Sequence, residues 1–260
     1  MRQSGRDLAV AGIVVAWVAA VLSLDTIATL TEQRLLGVGT ALLLAALLAR
    51  EPVRVRIQVL VVVVFATAVE FTFAGWLGTY VYRLHNVPWF VPPGHGLVYL
   101  GALALGRSPL FAAIRRPLVT GTLVVGAAYA GWGLAISSRL DVLGAFWFCC
   151  LAAFLLRGRA PLVYVGAFVM VTYLELLGTG LGTWTWGTHD PILGIVAMGN
   201  PPSGAAGGYG FFDAAALALA PAIQRAVSRR PAAVPAPPRA ADRWSTARSP
   251  RPAAETPTGR

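Results

Sequence analysis

The sequence predicts an all-α fold: a polytopic membrane helix bundle of about eight transmembrane helices, built as two parallel four-helix repeats. Three observations lead there. Of the 260 residues, 57% are hydrophobic and only 12% charged, about half the charged share of an ordinary soluble domain, which excludes a soluble fold. Apolar stretches close to the roughly 20 residues of a membrane crossing recur along the chain. A block of motif residues also occurs twice in the same order.

The first apolar run, Leu8 to Leu24, follows Arg2 and Arg6 as in a signal peptide. No small-x-small cleavage site precedes Asp25, so the run is read as the first span. Further runs cover Leu35 to Ala49, Ile57 to Tyr82, about Gly96 to Ile114, Leu118 to Ile136, Leu140 to Leu156, Leu162 to Leu181 and Gly204 to Ile223. The second is short at 15 residues, and the fourth contains Arg107 and Pro109. Arg collects in alternate connections, as cytoplasmic loops require. Arg50, Arg54 and Arg56 precede the third span, Arg107, Arg115 and Arg116 the fifth, and Arg157 and Arg159 the seventh. The intervening loops hold one Arg each, at Arg34, Arg83 and Arg139. This alternation predicts a multi-pass protein of the cell membrane, with both termini cytoplasmic and the motif loops extracytoplasmic.

Every basic residue is Arg, and Arg225, Arg229, Arg230, Arg239, Arg243, Arg248, Arg251 and Arg260 lie at the C-terminal end. With Asp242 and Glu255 subtracted, they leave that end +6 of the net +10. Residues 226–260, rich in Pro and Ala, cannot bury a core and are expected to be a disordered cytoplasmic tail. Its partner would be anionic lipid head groups rather than nucleic acid. The remaining chain divides into a first repeat over 1–116 and a second over 117–225. Cys149 and Cys150 are adjacent in an apolar run, a spacing that suits packing rather than a disulfide framework or a metal cage.

The repeat is seen when the end of the third span is laid over the end of the seventh. The first copy reads Glu70, Gly78, Thr79, Tyr80, Tyr82, His85, Pro88, Pro92, Pro93, Gly94 and Tyr99. The second reads Glu175, Gly182, Thr183, Trp184, Trp186, His189, Pro191, Pro201, Pro202, Gly204 and Tyr209, with one residue fewer before the glycine. Four spans separate the copies, an even number, so the halves would be related by an axis along the membrane normal.

Each copy begins with an acid about 18 Å of helix before the end of its span. No Lys or Arg lies inside a span at that depth, so Glu70 and Glu175 should face the bundle interior, and halves packed about one axis would bring the carboxyls together. The plainer reading is a hydrogen bond from each to a neighbouring helix. The aromatic pairs Tyr80 with Tyr82 and Trp184 with Trp186 would suit an interfacial belt. Their fixed place after Glu, with Trp76 and Trp89 nearby, also suits a pocket whose ring faces stabilise a cation.

All three histidines, His85, His95 and His189, fall in the two motif loops, as does Asp190. They could relay protons, bond a substrate, bind a metal or merely sit at the interface; without HExxH or ExxH spacing, no metal and no cofactor is expected. The loops at 87–94 and 191–204 are apolar, so re-entry into the bilayer would place loop His and Asn200 over the acids. Asp213, four residues after Tyr209 and on its face, is the third intramembrane acid and a candidate base or water-orienting group. Its counterpart in the first half is Leu103.

The first copy, Glu70 through Gly78, Tyr80, Tyr82, Pro88 and Pro92, resembles a motif of the integral-membrane carotenoid biosynthesis proteins that include the bisanhydrobacterioruberin hydratases. The likeness covers about 25 residues; it lacks that family's Gly-Pro-Phe-Gly run and sets Glu closer to the tyrosines. It implies an enzyme that protonates or hydrates a double bond of a long isoprenoid chain. The residues lead separately to the same chemical class. Protonating an alkene in a dry site needs a neutral carboxylic acid, surroundings that tolerate a carbocation, and a second acid or base. Glu70, Glu175 and Asp213 are the catalytic candidates. Trp76, Tyr80, Tyr82, His85, His95, Tyr99, Trp184, Trp186, His189, Asn200 and Tyr209 are the substrate-binding candidates. The competing class is a transporter or lipid-binding protein in which the paired acids carry protons or a cation and the apolar loops act as gates. No Walker motif or paired Asp-rich motif is present.

Overall fold

The computed structural model describes residues 2–228. These form α1 (Arg2–Asp25), α2 (Leu30–Leu48), α3 (Val53–Glu70), a π-helical turn (Phe71–Trp76), β1 (Tyr80–Tyr82), α4 (Val91–Arg107), α5 (Pro109–Ala113), α6 (Arg115–Ala135), α7 (Val142–Arg157), α8 (Pro161–Gly180), β2 (Trp184–Trp186) and α9 (Ala205–Ser228). Six of the helices are long and apolar enough to cross a membrane: α1, α2, α3 with its π turn, α6, α8 and α9. α4 has 17 residues and α7 has 16. The expected tail beyond Ser228 lies outside the described residues.

Two boundaries differ from the sequence reading. The third run stops being helical at Trp76, and Tyr80–Tyr82 is a strand. The break is at Gly78, whose φ of +67° is a left-handed conformation that glycine adopts without penalty. The fourth helix ends at Arg107 because Ser108, which precedes Pro109, is driven to an extended conformation (φ −64°, ψ 132°). The helix restarts as the short α5.

The bundle has an apolar core with a few buried polar groups, and its outer helix faces are apolar as well, a surface that lipid rather than water would cover. Leu60, Val64, Val124, Phe146 and Leu156 are exposed on outer helix faces, whereas Glu70, His95, Glu175 and Asp213 are buried. α4 is the central helix and packs on α1, α2, α3 and α8. Its approach to α8 is close: a Cβ on Gly166 would collide with the Ala102 carbonyl, the use that small residues have in membrane helix packing.

Each end of the bundle is tied by polar groups. At one end Arg107 bonds Glu51 through two nitrogens, at 2.7 and 2.8 Å, and Asp7 at 2.8 Å. This joins the start of α1, the α2–α3 connection and the end of α4. At the other end Gln33 donates to Asp25 and accepts from Asn86, each at 2.8 Å, fastening the first motif loop to the α1–α2 turn. The second motif loop is fastened in a comparable way. Asp141, which caps α7, accepts backbone N–H groups from Gly144, Gly199 and Ser203 at 2.6–2.9 Å, and Arg139 donates to the carbonyls of Trp186, Gly187 and Met198.

Candidate functional site

The two motif segments meet directly. β1 pairs with β2 in antiparallel register, Tyr80 opposite Trp186, Val81 opposite Thr185 and Tyr82 opposite Trp184. The stretch leading into β1 contains the π turn, and a π turn accommodates one residue more than α-helix does. Gly78 and Gly182 then turn both chains with positive φ, 67° and 74°. The result is a four-ring frame. Tyr80 lies 4.6 Å from Trp186, Tyr82 6.0 Å from Trp184, and Tyr80 5.9 Å from Tyr82, centroid to centroid. Tyr80, Tyr82 and Trp184 are buried, so their rings face inward instead of forming an outer belt.

Below this frame is a cavity of about 370 Å³, within the usual range of small-molecule sites. Both Glu70 and Glu175 line it, together with His95, Tyr209 and the four framing rings. Most of the remaining wall is aliphatic or aromatic, from Trp17 and Val21 of α1, Phe65 of α3, Leu97 of α4, Trp147 of α7 and Phe212 of α9. The site is a largely apolar chamber holding two carboxyl groups.

The acids are held differently. Tyr82 donates its hydroxyl to Glu70 Oε2 at 2.9 Å, and His95 Nε2 lies 2.9 Å from Glu70 Oε1. Both oxygens are engaged. Glu175 takes two indole N–H groups on the same oxygen: Trp184 and Trp186 each donate to Oε2 at 3.1 Å. Oε1 has no hydrogen-bond partner among the described residues. Burial first, and then the Glu70 charge, push the Tyr80 and Tyr82 phenols above their ordinary range, so both remain O–H donors. His95 is stacked on Tyr209 at 5.2 Å and meets Phe212 edge-on at 5.9 Å, which fixes the ring plane. It follows Pro92 and Pro93 in the first turn of α4. Proline there favours helix initiation, and α4 carries His95 inward.

The other sequence candidates lie elsewhere. Trp76 is 82% exposed on the outer surface. His85, at φ 56°, and His189 are exposed loop residues. Asn200 is also exposed, but its Oδ1 accepts from the Trp186 backbone N–H at 3.0 Å and so steadies β2. Tyr99 and Asp213 are buried but do not line the chamber. Among the described residues no group of three His, Cys, Asp or Glu side chains is placed to hold a metal ion. Asp190 borders the chamber, and its carboxylate accepts backbone N–H groups from Ile192, Leu193, Ile195 and Val196, which hold it below the usual carboxylate range.

Sequence reasoning did not find Trp17, Trp147 or Phe212 as chamber walls, because an aromatic residue in an apolar helix reads the same whether it meets a core, a cavity or lipid. Phe212 alone carried a signal, three residues after Tyr209 and thus on its helix face. Nor did it find Gly178, where a Cβ would collide with the Trp184 ring. Gly178→Ala is therefore expected to push Trp184 off Glu175 while α8 stays helical. Circular dichroism together with tryptophan fluorescence checks this. No protein-family model, no curated protein and no solved structure matches the chain.

Proposed function

We propose that the chain is an integral-membrane enzyme that modifies a lipid or isoprenoid substrate at a double bond by carboxylic acid–base chemistry, through hydration, cyclisation or isomerisation. The observation that carries this reading is the pair of buried carboxyls facing one largely apolar chamber with unequal hydrogen-bond partners. Glu175, with Oε1 unengaged, is the proton donor. Glu70, with one oxygen accepting from the Tyr82 hydroxyl and the other beside His95 Nε2, is the base. Glu175 gives its proton to one alkene carbon, and the cation forms at the other. The ring faces around the chamber stabilise that charge. Glu70 then takes a proton either from a water that adds to the cation or from the neighbouring carbon. Hydration and isomerisation both balance, each moving one proton from Glu175 to Glu70. The resemblance of the first motif copy to carotenoid hydratases points to the same class of reaction.

In this reading all eight long helices cross the cell membrane, α1 to α4 and α6 to α9, with α5 as the link between two parallel repeats. Support comes from the strand register, which sets the aromatic pair of one copy against that of the other, and from the matching positive φ of Gly78 and Gly182. The Arg107 cluster marks the cytoplasmic end and the strand pair the outer end. An apolar substrate enters from lipid.

Comparison of lipid extracts from cells with and without the protein tests the reading. The expected result is an isoprenoid or lipid that differs by one water or by the position of a double bond. Unchanged lipids, together with proton- or ion-dependent uptake in proteoliposomes, would instead make the chain a transporter.

A further inference from the structure

Outside the chamber, the bundle buries a second set of polar groups that the reaction above does not use. The Tyr99 hydroxyl, Asp213 Oδ2 and His95 Nδ1 have no hydrogen-bond partner among the described residues, although buried polar atoms ordinarily have one. They lie in register. α4 and α9 both run inward from the motif end. His95 and Tyr209 stack where the two helices meet. Tyr99 follows His95 by four residues and Asp213 follows Tyr209 by four, so each lies on the same helix face one turn deeper. Tyr99, Tyr164 and Asp213 are all buried, at 2%, 3% and 3% exposure. Tyr164 is in the first turn of α8, whose start packs on Gly106 beside the Arg107 cluster. The polar groups therefore descend in order from the chamber to the opposite end: Glu70, His95, then Tyr99 with Asp213, then Tyr164.

We propose that Tyr99, Asp213 and Tyr164 form a proton path linking the chamber to the Arg-rich end of the bundle, with His95 as its gate. The inference rests on the reading of the chamber as a proton-transfer site. Each turnover leaves one proton on Glu70 and removes one from Glu175, and a chamber walled by hydrocarbon has few routes to exchange them. With Glu70 protonated, His95 in its Nδ1–H tautomer takes that proton at Nε2 and gives up its own from Nδ1, which leaves Nε2–H against the regenerated carboxylate until the ring returns to its first tautomer. The released proton passes through water held between Tyr99 and Asp213, a site with the two or more polar partners that a buried water needs. Asp213 passes it on toward Tyr164. This gives Asp213 a positioning and relay role in place of contact with substrate, and it accounts for an acid with no counterpart at Leu103 of the first half.

Infrared spectroscopy of the full chain in lipid bilayers tests the path without a substrate. The carboxyl C=O band lost in Asp213→Asn belongs to Asp213, and the one lost in Glu175→Gln to Glu175. Tyr99→Phe is expected to shift the Asp213 band and to lower the Tm. An unshifted band with an equal or higher Tm would mean a dry, unlinked hydroxyl and overturns the proposal. On exchange into D2O, Asp213→Asn is expected to slow deuteration of the Glu175 carboxyl severalfold, and Tyr164→Phe less so. A Glu175 band that exchanges as fast in Asp213→Asn as in the unaltered chain also overturns the path. Retained turnover in Glu175→Gln would overturn the acid–base reading instead, so the two failures are distinguishable.

Discussion

Glu175→Gln is expected to lower product formation by roughly 10²–10⁴-fold, the usual contribution of a positioned general acid, while the protein stays folded. Glutamine has the same shape, and its amide oxygen can still accept both indole N–H groups of Trp184 and Trp186. It cannot give a proton to carbon. Glu70→Gln should produce a loss of similar size for a different reason. Its amide oxygen can serve Tyr82 or His95 but not both, and its nitrogen must then donate to the other, which a hydroxyl or a neutral imidazole accommodates by changing role. The fold therefore tolerates both variants, and comparing lipid products alongside the elution volume and Tm of each separates lost chemistry from lost structure. Product formation at the unaltered level in either variant would end the acid–base mechanism.

Much of the architecture was legible because burial in lipid leaves a strong trace in the sequence. Most of the apolar runs correspond to helices of the bundle, six of them long and apolar enough to cross a membrane. The strand Tyr80–Tyr82 was not legible as a strand. Three aromatic and β-branched residues at the end of a long apolar run satisfy helix and strand periodicity equally, and only Gly78 announces the break. The histidines show where site reading stops. His85, His95 and His189 stand in comparable loops, yet His95 alone is built into a helix, four residues before Tyr99 and on an inward face. Its stacking partner Tyr209 is more than a hundred residues away, and no local pattern encodes that pairing. Asp213 was legible as a buried acid but not as one set a turn below the chamber, because depth depends on how α9 slides against α4.

The largest stability effect is expected from Arg107→Leu, about 3–5 kcal/mol in keeping with breaking a buried ion pair from one side. In the sequence Arg107 looked like an interruption of the fourth span. In the fold it ends α4, and its partners Asp7 and Glu51 come from the start of α1 and the α2–α3 connection. The side chain of Glu51 is 1% exposed and that of Asp7 3%, so removing the guanidinium leaves two carboxylates out of water. Arg6 also reaches Glu51, at 2.8 Å, but its own side chain is 42% exposed, and an exposed charge is a weak substitute. Acid separates this account from simple loss of packing. The Arg107 hydrogen bonds hold the Glu51 carboxyl below its ordinary range against the opposing effect of burial. A carboxyl lowered in the folded state contributes stability above its unfolded pKa of about 4.3, and that stability is lost as the pH falls through the folded value. The Tm of the unaltered chain in micelles should therefore drop on acidification below about pH 4. In Arg107→Leu burial acts on Glu51 without its main counterion, so the same acidification should relieve the buried charge and flatten or reverse the drop. Parallel acid profiles in the two proteins would show that Arg107 stabilises this end through its apolar stem rather than its charge.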